Sequence, residues 1–164
     1  MAIFAKVIPS ILAIEGEYTP GEFDYGGETK YGISKRQYPH LDIANLDETR
    51  ALTILESDYW NRYRIGEIID QTIANQVFFL FINMSPIDAA IIVQKAVNAC
   101  GRTIISVKTD GVMGSITIQA INSISRFWLG DRIKLEACRY YLDETDKDKN
   151  QIPNFRGWIR RALA

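Results

Sequence analysis

The chain has 164 residues, 47% hydrophobic and 24% charged, with a formal net charge of -1. That balance suits one globular domain with a sizeable core and excludes a disordered or low-complexity chain. Near-neutrality gives no electrostatic case for nucleic acid as a partner, and the longest apolar run, Val77 to Ile82, is far short of the ~20 residues of a membrane-spanning helix.

In chain order, the first element is a helix. Phe4, Val7, Ile8, Ile11 and Leu12 recur at the three- and four-residue spacing of a buried stripe, and Glu15 extends that stripe. Gly16 is suited to the left-handed position that ends a helix, so Glu15 belongs to the last turn. Pro9 either kinks this helix or marks the first turn of a shorter one. A carboxyl group at the negative end of a helix and beside a core meets conditions that favour its protonated form, as a general acid requires.

A glycine-rich, aromatic stretch follows. Gly16, Gly21, Gly26, Gly27 and Gly32 are interleaved with Tyr18, Phe23, Tyr25 and Tyr31, which predicts a β-hairpin or irregular lobe near residues 17–34. Aromatic faces beside carboxylates and hydroxyls are a reasonable lining for a sugar cleft. Asp24 and Thr29 lie close enough to Glu15 to converge with it, as an acid, second carboxylate and hydroxyl would in a glycosidase.

Beyond the loop, Leu52, Leu55, Tyr59 and Tyr63 predict an amphipathic helix within 41–64. Tyr59 and Trp60 are candidate sugar platforms, with core packing the more frequent role of aromatics so spaced. A second helical region spans 65–81, and Asn83-Met84-Ser85 breaks it. Ser85-Pro86-Ile87-Asp88 starts another helix, with serine as cap and proline in the first turn, and Gly101 stops it. Thr109 to Thr117 reads as a glycine turn feeding a helix, and Val/Ile alternation around Ile104 and Val107 as a short extended segment. The last predicted helix runs from Ser125 to Tyr141, followed by a polar linker at 143–151 and an anchoring Trp158. Cys100 and Cys138 read as reduced, isolated thiols without metal-ligand spacing; no cofactor or metal is implied. His40, the sole histidine, reads as a surface turn residue. From Arg126 onward the net charge is +3, leaving -4 for the first 125 residues.

The run Glu15-Gly16-Glu17-Tyr18, then Asp24-Tyr25-Gly26-Gly27-Glu28-Thr29-Lys30-Tyr31-Gly32-Ile33, resembles the signature of glycoside hydrolase family 108, roughly E-G-G-Y, a short spacer and D-P-G-G-x-T-x-x-G-I. These are muramidases once labelled secretion activators. Tyr59-Trp60, Asn83, Asp110-Gly111-Val112-Met113-Gly114 with Thr117, and Arg156-Gly157-Trp158 continue the likeness over the whole chain. Glu17 stands where the family has a second glycine, and Tyr25 where it has proline.

The resemblance implies a mainly α, lysozyme-like fold. It also implies a single compact domain, with a catalytic-like portion at 1–85 and a helical portion at 86–164 resembling a peptidoglycan-binding module. The implied activity is N-acetylmuramidase hydrolysis of peptidoglycan, with Glu15 as general acid. Asp24 and Thr29 would be further catalytic residues; Tyr18, Tyr31, Tyr59, Trp60 and Asn83 would bind substrate. The alternatives are a non-catalytic peptidoglycan-binding or secretion-assisting protein and a lytic transglycosylase. The N-terminus does not read as a signal peptide; action in the periplasm or cell wall would then need a phage holin or secretion machinery as partner.

Overall fold

A computed structural model describes residues 1–15, 18–20 and 27–163. The fold is mainly α with a small antiparallel hairpin, as the sequence predicts. Contacts divide it into two compact units, residues 3–66, and residues 1–2 with 67–164. The division between these units falls after Gly66.

In the first unit, a 3-10 turn at Phe4–Lys6 precedes α1, Ile8–Glu15, so Pro9 sits in the first turn of a shorter helix, where its missing N–H costs nothing. Phe4, Val7 and Ile11 are buried, and Glu15 continues this line. Strands β1 (Thr29–Lys30) and β2 (Ile33–Ser34) pair antiparallel, Thr29 opposite Ser34 and Lys30 opposite Ile33. Helix α2, Glu48–Leu55, starts at an Asp47 cap that accepts from the Arg50 N–H at 2.8 Å. It runs on into a π-helical turn, Glu56–Asn61.

The second unit is built on helix packing. Helices α3 (Gln71–Asn83), α4 (Pro86–Cys100), α5 (Ser115–Ser123), α6 (Arg126–Lys147) and α7 (Ile152–Leu163) follow in order. Helix α6 packs on α3, α4 and α7. Ser85 caps α4, accepting from the Asp88 N–H, and Gly101 ends it with φ +57°, both where the sequence places them. The segment expected to be extended around Ile104 and Val107 is irregular instead. The expected linker at 143–151 is largely helical, because Tyr141 and Thr145 are buried and Lys147 pairs with Glu144 at 2.7 Å one turn back. Trp158 stacks on Tyr141, ring centroids 5.2 Å apart, the anchoring role expected of it. No described helix is long and apolar enough to cross a membrane.

Candidate active site

Glu15 closes α1 and is half-buried. It follows the buried Val7 and Ile11 at four-residue spacing along the chain. Asp24 and Glu17 lie outside the described residues.

The lobe that follows is anchored on Thr29. Its backbone pairs on one side with Ser34 and on the other with Thr19, through Thr19 N–H to Thr29 O at 2.8 Å and Thr29 N–H to Thr19 O at 3.0 Å. Directly opposed residues in antiparallel pairs present their side chains to one face, so the hydroxyls of Thr19, Thr29 and Ser34 share a face. Thr29 Oγ1 donates to the Gly27 carbonyl at 3.2 Å, which leaves its lone pairs able to accept a hydrogen bond.

The hairpin turn is Tyr31-Gly32, with φ +55° and +77°. Positive φ at both central residues is the type I′ arrangement, which favours Asn-Gly and tolerates a tyrosine at a cost of roughly 1–3 kcal/mol. Lys30 Nζ lies 5.5 Å from the Tyr31 ring centroid and donates to the Ala44 carbonyl at 3.1 Å. Lys35 Nζ likewise donates to the Leu41 carbonyl at 2.8 Å. The two lysines tie the hairpin to the 41–44 loop, where Asp42 accepts from Asn45 and is held below the usual carboxylate range, first by that side-chain bond.

Tyr18 is exposed and hydrogen-bonds to Glu28. Its phenol is pushed above the ordinary tyrosine value, first by local desolvation and then by the Glu28 carboxylate, with Asp42 adding. Glu28 is therefore a described carboxylate in the lobe that sequence reasoning passed over. Its only signal was its place between Gly27 and Thr29, where it reads as a spacer.

Two expected sugar platforms prove to be core residues. Tyr59 is 5% and Trp60 3% exposed, which leaves no ring face for a pyranose. Phe4 meets Trp60 edge-on at 5.6 Å, and the Tyr59 hydroxyl bonds to Tyr38, whose own hydroxyl donates to Asp58 at 2.9 Å. Burial pushes the Tyr59 phenol up. Helical spacing brings both inward because α2 and its π-turn have a single apolar side. Asn83 ends α3 in the second unit, where its Nδ2 donates to the Phe79 carbonyl at 2.9 Å, a helix-end bond that gives its amide a local role. His40 is exposed. Cys100 and Cys138 are free thiols, both pushed up by burial. Among the described residues no three His, Cys, Asp or Glu side chains could hold a metal.

Comparison with known proteins divides the chain at a different point, between residues 84 and 88. Residues 8–84 match the family model described as glycosyl hydrolase 108, and residues 88–163 match one described as a predicted peptidoglycan domain. Among solved structures, that of Brucella abortus SagA is similar at 22% identity and a TM-score of 0.72, over 98% of this chain and 93% of that one, a likeness of fold. No curated protein matches. The chain thus carries a region similar to glycosyl hydrolase 108, followed by a region similar to a predicted peptidoglycan domain.

Proposed function

We propose that the protein is an N-acetylmuramidase, hydrolysing the β-1,4 bond between N-acetylmuramic acid and N-acetylglucosamine with Glu15 as general acid. The observation that carries this reading is the place of Glu15, half-buried at the end of a core-facing helix and directly ahead of the Thr29 lobe, inside the glycosyl hydrolase match. Glu15 donates its proton to the glycosidic oxygen as the bond to the sugar C1 breaks. Positive charge then develops on the ring, and a carboxylate in the lobe is needed to stabilise it or to orient the attacking water. Asp24 is the proposed group. Thr29, fixed by backbone pairing on both sides, offers its hydroxyl oxygen to that water. Tyr18 and Tyr31 supply the aromatic surface for the sugar. Action on peptidoglycan places the working protein at the cell wall; delivery by a holin or secretion machinery fits this reading.

The deciding measurement is release of reducing ends from purified peptidoglycan by the parent, Glu15→Gln and Glu17→Gln, each shown to be folded by circular dichroism. Glu15→Gln alone is expected to lose about 10²–10⁴-fold, the share of a general acid. A parent that releases 1,6-anhydromuramic ends is a lytic transglycosylase. A folded parent that binds the wall and cleaves nothing is a binding protein, and Glu15 a structural acid.

A further inference from the structure

The second unit carries an aromatic and cationic surface that the catalytic reading does not use. Phe127 and Trp128, in the first turn of α6, are 71% and 58% exposed, and Ile104 in the loop between α4 and α5 is fully exposed. Buried packing takes most aromatic residues of a domain this size, so two adjacent rings left open are the informative exception. The Arg102 guanidinium lies 4.5 Å from the Trp128 ring centroid, and that of Arg126 4.8 Å from the Phe127 centroid.

The surface is held in shape. Cys100 Sγ donates to the Trp128 carbonyl at 3.6 Å, and Ser123 Oγ donates to Thr103 Oγ1 at 2.9 Å, so the end of α4 is tied to the start of α6 and the loop after α4 to the end of α5. Between that loop and the end of α4 lies a groove of about 220 Å³ lined by Asn98, Gly101, Thr103 and Ile104 among others. It is smaller than the ~300–1,000 Å³ of drug-sized ligand pockets. Arg126 reaches Asp70 only at 3.9 Å. No described carboxylate pairs with Arg102, so its fork of N–H donors is unspent.

We propose that this surface of the second unit is a peptidoglycan-binding subsite. A pyranose packs its apolar face on the open side of Trp128, with Phe127 alongside, and Arg102 receives a carboxylate of the peptide stem. Aromatic faces suit sugar rings, and a guanidinium suits a carboxylate through two parallel hydrogen bonds. The occupant follows from that pairing: a glycan that is also anionic has both features, and a neutral glycan only one. The inference rests on the reading of the protein as one that acts on peptidoglycan, and on the match of residues 88–163 to a predicted peptidoglycan domain.

The test uses the full chain carrying Glu15→Gln, so that the wall is not digested, and measures cosedimentation with purified peptidoglycan sacculi and with chitin, an uncharged polymer of N-acetylglucosamine. Trp128→Ala is expected to weaken binding to sacculi by about tenfold or more, the usual weight of a central aromatic anchor. Arg102→Gln is expected to weaken it comparably and to abolish the preference for sacculi over chitin. If both variants are folded and bind sacculi as the parent does, the subsite is overturned, while reducing-end release by the Glu15 protein leaves the muramidase reading standing. If Trp128→Ala instead converts a dimer into a monomer on size exclusion with wall binding unchanged, the surface is an interface between copies and the proposal fails. Should the parent neither bind sacculi nor release reducing ends, the functional reading falls and takes the subsite with it.

Discussion

Gln94 is fully buried in α4 and spends its whole amide on one turn. Its Nε2 donates to Asp110 Oδ1 at 2.9 Å and to the Val112 carbonyl at 3.0 Å, and its Oε1 accepts from the Gly111 N–H at 3.0 Å. The bond from Gln94 Nε2 is also the first cause holding the Asp110 carboxyl below its ordinary value. One turn on, Asn98 pairs with both backbone groups of Val107 at 2.7 and 3.3 Å. The irregular loop is therefore fastened by two amides in place of a strand partner. Gln94→Ala is expected to cost about 2–3 kcal/mol in urea unfolding, since it strands several polar groups at once. Gly111→Ala should also destabilise, because φ is +76° there and an added Cβ would come within 2.9 Å of Ile87 Cγ2. The glycine turn was visible in the sequence; the glutamine that holds it, sixteen residues upstream of Asp110, was not. An amide on an apolar helix reads as a surface residue until its partner is known.

Among the elements, the hairpin turn poses the sharpest local conflict. Tyr31 takes a left-handed conformation that asparagine adopts more readily. Replacing it removes that strain and also the contact with Lys30, worth about 0.5–1 kcal/mol at an exposed site. Tyr31→Asn is therefore expected to leave the thermal midpoint unchanged or raise stability by up to about 1 kcal/mol, while lowering wall hydrolysis roughly five- to tenfold if the ring contacts sugar. A drop in stability with activity retained would make Tyr31 a structural residue. Glycines and alternating aromatics placed the hairpin near 17–34, and it forms at 29–34 with Thr19 added alongside. Helix α6 outruns its expected end because buried Thr145 and the Lys147–Glu144 pair offset a run whose polarity reads as linker.

At the scale of the whole molecule, α3 belongs to two schemes. It falls within the glycosyl hydrolase match, 8–84, yet its contacts group it with residues 67–164. The reason is its packing on α4 and α6. Gly130 of α6 lets α3 come close enough that an added Cβ would lie 3.3 Å from Gln76 Oε1 and 3.6 Å from Ile73 Cδ1. Helix α3 brings Ile73, Val77, Phe78 and Phe81 into the core, each worth roughly 1.5–3 kcal/mol when buried. A fragment of residues 67–164 is accordingly expected to unfold cooperatively in a thermal melt followed by circular dichroism, and one of 86–164 to show no cooperative transition. Equal cooperativity in both would place the energetic boundary at the family division instead.

By itself the sequence determined the local features: the helix start at Ser85, the stop at Gly101, the hairpin lobe, and Glu15 at the end of its stripe. Each follows from the backbone preferences of a few neighbouring residues, which act before any distant contact exists. Tertiary structure alone decided which aromatics are spent on packing and which stay open. Tyr59 and Trp60 lie under the first unit's core while Phe127 and Trp128 stand exposed, although spacing treats the two pairs alike. It also decided that Gln94 and Asn98 serve a loop, and that Tyr18 meets Glu28. Burial and pairing depend on residues far apart in sequence, and periodicity carries no record of them.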